Sequence, residues 1–186
     1  MIGIFQKKKN QTLFDRLISE HSNALYRYAL WMTGKHDVAS DVVQEAFFQA
    51  WQSINSLKDE SKALPWLLTI LRRTVYREQK YGYRQAETAA QLSVIYENSE
   101  APSSCHLMEI YSALEKISIK HRDVFLLHHL HGFKYDEISE HLNIPRGTVM
   151  SRLSRARQAL QDILESDTET NVIKLSPLLK EQLKDG

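Results

Sequence analysis

The chain has 186 residues, a formal net charge of +1 and 25% charged residues, which is ordinary for one or two small globular domains. Because the chain as a whole is not a polycation, any binding to nucleic acid must come from local clusters of basic residues. A single cysteine, Cys105, excludes an internal disulfide and a CxxC metal clamp, and it favours a reducing compartment such as the cytoplasm.

The first eleven residues are predicted to form a mobile leader. They begin MIGIFQKKKN, so the lysines follow a very short apolar stretch, whereas a secretory signal carries its basic residues before a longer one. No apolar run in the chain approaches the roughly 20 residues of a membrane span, so we expect no direct membrane insertion.

From residue 12 onward the apolar residues recur at helical spacing, and proline and glycine are scarce. The pattern predicts three helices in residues 12–84, a polar linker over 85–106, a second helical block over 107–165 and a C-terminal tail over 166–186. The tail contains a helix-start signal, Ser176-Pro177, before a short leucine-rich segment. The predicted fold is all-α, with two small helical domains joined by a flexible linker.

The second predicted helix carries a polar face. Asp41, Gln44 and Glu45 are spaced i, i+3 and i+4, so they share one side of the helix, opposite Val38 and Val42. The pattern indicates an exposed acidic surface. A solvated helix face with no partner is the alternative that this motif leaves open when it is taken alone.

The third predicted helix is basic and aromatic. Its only acid is Glu78, and tyrosines are interleaved with its cations, a combination that suits a nucleic-acid strand held at its phosphates and stacked at its bases. The candidate nucleic-acid contacts are Arg72, Arg73, Arg77 and Lys80.

The second block contains a helix-turn-helix pattern. FKYDEISEHL is followed by NIP and then by RGTVMSRLSRARQAL, so Asn143 and Pro145 interrupt two helices. In the second helix an apolar stripe recurs at steps of four, three and four and is predicted to face inward. Its members are Val149, Leu153, Ala156 and Leu160.

If that stripe faces inward, the opposite face of the helix is exposed and has arginines beside it. The exposed face is predicted to carry Met150, Ser151, Ser154, Arg155 and Gln158, flanked by Arg146, Arg152 and Arg157. Arginine donates two hydrogen bonds to guanine and serine bonds several bases, while flanking groups hold phosphates, so the pattern is typical of a helix that enters the major groove. The candidate DNA contacts on and beside this face are Arg146, Thr148, Met150, Ser151, Arg152, Ser154 and Arg155.

Three segments of the chain resemble segments of the extracytoplasmic-function (ECF) group of bacterial sigma factors, within the sigma-70 family, and they occur in the same order as in that family. EISEHLNIPRGTVMSRLSRARQAL resembles the domain that recognises the −35 promoter element. DVASDVVQEAFFQAW resembles the helix that binds core polymerase, and WLLTILRRTVYREQKYGYR resembles the helix that recognises the −10 element. The resemblance covers residues 12 to about 164.

The resemblance implies a role for each segment. It implies that Asp41, Gln44 and Glu45 bind the polymerase clamp, that Arg72, Arg73, Arg77 and Lys80 hold the −10 region, and that the loop at about Leu57 to Leu64 pockets an unstacked base. It also implies as partners the core polymerase, through its β′ clamp and β flap, promoter DNA and an anti-sigma protein. It implies no cofactor.

Two positions depart from the family's pattern. The family often has Arg-Asn where this chain has Arg72-Arg73, and a basic residue where this chain has Met150. An apolar side chain at this point favours contact with a thymine methyl group, and we therefore expect an altered −35 preference.

Two other function classes compete with this interpretation. An enzyme or metal protein is disfavoured, because His128 and His129 are adjacent and point about 100° apart on a helix, and because no phosphate loop, GxSxG or HExxH motif occurs. A stand-alone helix-turn-helix regulator would use the same recognition helix, but it does not account for the acidic helix and the basic-aromatic helix of residues 12–84.

Overall fold

A computed structural model of the protein describes residues 2–88 and 113–166, and the side chains of residues 7–80 and 113–163 within them. The chain divides into two compact units, Met1–Glu97 and Asn98–Gly186. The described residues are helical with no β-strand, which confirms the predicted all-α fold of two helical domains. Among the described residues, no helix combines the length and the apolar character needed to cross a bilayer.

The front unit consists of three helices: α1 (Ile2–Thr33), α2 (His36–Gln52) and α3 (Ala63–Thr88). Gly34, with φ of 84°, closes α1 and donates its N–H to the Leu30 carbonyl at 2.9 Å, and α2 follows at once. Two 3₁₀ turns, Ile54–Ser56 and Glu60–Lys62, lead from α2 to α3. The Asp59 carboxylate accepts from the Ser61 N–H at 3.0 Å at the second turn.

The core of the front unit lies between these three helices. Small residues of α2 recur at its inward face, which lets the helices approach closely. The core side chains are 0–3% exposed and include Leu17, Leu25, Tyr28, Met32, Ala39, Val42, Ala46, Ala50, Leu67, Leu71 and Val75. At one end of the unit, Phe14 packs against Phe47 and Trp51, with ring centroids 6.2 and 5.1 Å apart.

In the front unit, the first and last helices extend beyond the boundaries predicted from the sequence. Residues 2–11 belong to α1, whereas the sequence predicted a mobile leader. The lysines of this segment are good helix formers, and at its end Asn10 donates to the Asn55 amide oxygen at 2.9 Å. Helix α3 continues through Thr88, beyond the predicted linker start at residue 85. The remainder of the predicted linker, and the tail from residue 167, lie outside the described residues.

The rear unit contains a helical turn at residues 113–116 followed by α4 (Ile119–His129), α5 (Tyr135–Leu142) and α6 (Arg146–Ser166). The buried Arg122 joins the first two, because its Nη2 donates to the Glu115 carbonyl at 2.9 Å. Gly132, with φ of 70°, turns the chain between α4 and α5.

Candidate polymerase and nucleic-acid interfaces

The acidic patch, Asp41, Gln44 and Glu45, lies on the outer face of α2. Asp41 and Gln44 are exposed, and the Glu45 side chain is 42% exposed. They are held outward because Val42 and Ala46, which alternate with them along the helix, are buried in the core.

Phe48 extends this patch, and the sequence analysis did not identify it. The residue is 57% exposed, the most exposed large apolar side chain among the described residues. It follows Asp41 by seven residues, so the two differ by only about 20° around the helix. The signal was present in the Phe-Phe pair at 47 and 48, because two adjacent helical residues cannot both face the same core.

The cations of α3 occupy its solvent side. Arg73, Arg77 and Lys80 are exposed. Arg72 is half-buried, and its guanidinium carbon lies 5.1 Å from the centroid of the Tyr76 ring. The helix turns these groups outward because it buries Leu67, Leu68, Leu71, Thr74 and Val75.

The structure joins two residues that the sequence analysis assigned to different partners. Arg77 Nη2 lies 3.2 Å from Glu45 Oε1 and bridges α3 to the acidic patch on α2. Gln49 Nε2 donates to the same oxygen at 2.6 Å. These contacts lower the pKa of the Glu45 carboxyl below its usual value, mainly through the hydrogen bond from Gln49 and then through that from Arg77.

The segment before α3 is polar and exposed between two partly buried leucines. Leu57 and Leu64 are half-buried, while residues 58–62 are exposed and Ala63 is buried. Arg16 of α1 makes an ion pair with Glu60 in this segment. The predicted base-capturing loop is therefore presented on the surface of the front unit.

In the rear unit, the predicted pattern of buried and exposed residues along α6 is confirmed. The apolar stripe of Val149, Leu153, Ala156 and Leu160 is 0–4% exposed. Met150 is 50% exposed. The other polar residues predicted on the outer face, Ser151, Ser154, Arg155 and Gln158, are exposed, as is Arg146, whereas Thr148 and Arg152 are half-buried.

The turn between α5 and α6 fixes the start of the recognition helix. Asn143 adopts the left-handed conformation, with φ of 50°, and ends α5. Two hydrogen bonds then join Ser139 and Ile144. The Ile144 N–H donates to the Ser139 carbonyl at 3.1 Å, and the Ser139 hydroxyl donates to the Ile144 carbonyl at 2.6 Å. Arg146 Nε lies 3.4 Å from Asp136 Oδ1 on α5, so the first arginine of α6 shares its charge with a carboxylate.

Two histidines of this unit lie in surroundings that disfavour the protonated imidazole. Burial, with smaller effects of His128 and Arg157, lowers the pKa of His129 to about 4. Burial, followed by the neighbouring Arg155 and Arg152, also lowers the pKa of His121. Both shifts favour the neutral form of the imidazole.

The adjacent histidines His128 and His129 make contacts within the rear unit. The His128 Nδ1 lies 2.8 Å from the Phe133 carbonyl oxygen, and the His128 and His129 rings contact edge to face at 4.7 Å. Arg157, which was predicted to flank the DNA-facing surface, is half-buried, with Nε and Nη2 enclosed. Within residues 7–80 and 113–163, no three His, Cys, Asp or Glu side chains are placed to hold a metal ion.

Comparison with known proteins assigns both units. The sequence model described as Sigma-70 region 2 matches residues 17–84, and that described as Sigma-70, region 4 matches residues 107–160. The ECF RNA polymerase sigma factor SigL of Mycobacterium tuberculosis is 34% identical over 158 residues, which cover 82% of this chain and 89% of SigL. The chain belongs to the ECF sigma factor family. It is therefore an RNA polymerase sigma factor, a transcription initiation factor.

Two solved structures have a similar fold. The sigma factor RpoE of Bartonella quintana, in complex with the anti-sigma factor NepR, has a TM-score of 0.64 and 28% identity, covering 87% of this chain and 97% of RpoE. CnrH, in complex with the cytosolic domain of CnrY, has a TM-score of 0.62 and 25% identity, covering 84% of this chain and 90% of CnrH.

Proposed function

We propose that this sigma factor docks on core polymerase through the acidic patch of α2 together with Phe48. The patch combines anionic groups, which fix register and speed encounter with a basic partner, and one exposed aromatic side chain, which supplies contact area. The partner surface that fits it is a basic helical surface that can also cover an aromatic ring, and the resemblance implies a basic coiled coil of the polymerase clamp as that partner. A second contact, between the rear unit and the β flap, completes the docking.

The −10 element is held, in this proposal, by the outer face of α3. Arg73 and Lys80 are exposed cations that suit phosphate, and Arg72 stacked on Tyr76 forms a flat surface on which an unpaired base can stack. The exposed segment before α3 captures a base extruded from the duplex, and its contacts must offset an unstacking cost of a few kcal/mol.

The −35 element is contacted by α6 lying in the major groove. The exposed surface offers Met150 to a thymine methyl group, Ser151 and Ser154 to base edges or phosphate, and Arg155 to guanine. Arg146, Thr148 and Arg152 flank this surface and contact phosphates.

A Cβ added at Gly147 meets no protein atom within 4 Å, so packing within the protein does not require glycine at the start of this helix. In this proposal, glycine is required at position 147 because it lets a phosphate approach the helix N-terminus closely.

The proposal has three further parts. The protein acts in the cytoplasm, where core polymerase and promoter DNA are found. It has no catalytic centre of its own, because the sigma factor positions DNA and the polymerase performs the chemistry. An anti-sigma protein controls it, a suggestion supported by the two structural relatives, each of which is bound to such a protein or to a partner's cytosolic domain.

The observation that carries the proposal is that matches to regions 2 and 4 occur in one chain, each with an outward charged face. In vitro transcription with bacterial core polymerase and a genomic template tests it. The full chain should start transcripts at defined positions and give no promoter footprint without core. Asp41→Arg should weaken core binding about tenfold or more. A footprint by the protein alone would instead indicate a stand-alone helix-turn-helix regulator, and absence of defined start sites would refute the proposal.

A further inference from the structure

Glu45 is the member of the acidic patch that is anchored by two neighbours. Gln49, one turn later on α2, donates at 2.6 Å, and Arg77 of α3 donates at 3.2 Å. Asp41 and Gln44 are exposed on the same face, and within the described side chains neither makes such a contact with α3. The carboxylate of Glu45 is therefore the best-positioned anionic group of the patch.

Both donors bind the same oxygen. Gln49 Nε2 and Arg77 Nη2 each contact Oε1, and within the described residues Oε2 receives no hydrogen bond or ion pair. A carboxylate accepts about four hydrogen bonds through its two oxygens, so half of this capacity is still available. With 42% of the side chain exposed, Oε2 is open to a second molecule.

We propose that Arg77 and Gln49 are positioning residues of the polymerase-binding surface: they hold Glu45 by Oε1 and direct Oε2 toward a cation of the polymerase. This inference rests on the proposed docking of the acidic patch. It gives Arg77 a role on the protein-binding side of α3, in place of the −10 phosphate contact that the sequence analysis assigned to it.

Fixing one long acidic side chain before binding reduces the rotamer entropy that is lost on association. The hydrogen bonds also favour the ionised carboxylate, which is the form that attracts a cation. The guanidinium of Arg77 has further N–H donors, but Glu45 already balances part of its charge, so Arg77 attracts a DNA phosphate less strongly than an unpaired arginine does. Arg73, one turn earlier on α3, is exposed and makes no ion pair within the described residues, so it is the better candidate for phosphate and a matched control.

The test is a double-mutant cycle that measures binding of the full chain to core polymerase in the absence of DNA. Arg77→Gln should weaken binding about three- to fivefold, the range of a well-formed exposed ion pair, and Arg73→Gln should leave it unchanged. In the Glu45→Gln background, Arg77→Gln should have no further effect, because Arg77 acts through Glu45.

A second readout separates positioning from general structural damage. The carboxyl pKa of Glu45, followed by NMR of the free protein, should rise in Arg77→Gln and in Gln49→Leu and stay constant in Arg73→Gln. Arg77→Lys should restore part of the affinity, since it keeps the charge but offers a less directed donor.

Contrary results identify which proposal fails. If Arg77→Gln leaves core binding unchanged or strengthens it, while Glu45→Gln and Asp41→Arg weaken it, the positioning role is wrong and the docking proposal stands. Additive effects of Glu45→Gln and Arg77→Gln overturn the positioning role as well. If neither Asp41→Arg nor Glu45→Gln affects core binding, the docking surface itself is misassigned.

Discussion

The basic helices of the two units differ in how their cations are used. On α6, Ser151, Ser154 and Arg155 form an exposed surface around Met150, and the acid on that side, Asp162, lies about two turns beyond Arg155, where it accepts a hydrogen bond from Gln158 at 2.8 Å. On α3, the exposed Arg77 is already paired with a carboxylate of α2. Counting basic residues along a helix therefore overestimates what α3 offers to DNA.

The physical reason lies in the neighbours of each helix. Helix α3 packs beside the acidic face of α2, so its cations meet carboxylates that are remote in sequence, at a separation of 32 residues for Arg77 and Glu45. The outer face of α6 has no helix over it within the described part of the rear unit, and among the arginines at that face only Arg146, at the first residue of the helix, makes an ion pair with a described residue. We infer that α3 divides its cations between protein and DNA, whereas the outer face of α6 offers its arginines to DNA.

The largest effect should come from the one apolar group in the front unit's docking surface. Phe48→Ala should weaken core binding by about 2 kcal/mol, roughly thirtyfold, because an exposed aromatic side chain that is buried on binding contributes more than exposed charge pairs do. Titration of labelled protein with core polymerase measures this. Ile18→Ala, at the 37% exposed Ile18 of α1, is the matched control. Equally small losses of core affinity in both variants would mean that the charged residues, and not Phe48, supply most of the binding free energy.

The burial pattern of single helices was predictable from the sequence. The stripe of α6 followed from its spacing alone, and the exposed face followed because it lies opposite the stripe. The break at Asn143 was predictable because asparagine tolerates the left-handed conformation that ends α5 and the following Pro145 cannot continue the helix.

Contacts between helices were not predictable in the same way. The Glu45–Arg77 pair depends on how α2 and α3 are placed against each other, and no local pattern encodes that placement. The helical state of residues 2–11 was missed for a related reason: it is supported by a contact between Asn10 and the distant Asn55. Arg157 was predicted from its position around the helix to flank the exposed face, but the fold places it beside His129 and encloses its Nε and Nη2.

The next effect concerns specificity in the rear unit. Arg155→Ala should relax discrimination at one base pair of the −35 element by about 1–3 kcal/mol while other positions keep their preference. Transcription by the holoenzyme from a library randomised at the −35 element measures this. Arg155→Lys distinguishes the two roles of the residue, because lysine retains a phosphate contact but not the paired hydrogen bonds to guanine. Uniform weakening on all sequences by Arg155→Ala, with full rescue by lysine, would make Arg155 a phosphate contact only.

The smallest effect tests whether Asp136, the acid that pairs with Arg146, restrains α6. Asp136 faces Arg146 at 3.4 Å, and both side chains are well exposed, 69% and 60%, so the pair itself stabilises the fold by at most about 1 kcal/mol. Asp136→Asn should strengthen holoenzyme binding to a promoter about two- to fivefold at low salt, because Arg146 is released to phosphate and a repulsive charge is removed.

This gain should shrink as salt is raised. Glu140→Gln, at an exposed acid of the same helix, is the control. An equal gain in both variants would reflect the general loss of negative charge. A loss of binding in Asp136→Asn would mean that Asp136 orients Arg146 toward the DNA, which would make the pair at the start of α6 equivalent to the Glu45–Arg77 pair and would remove the contrast between the two units.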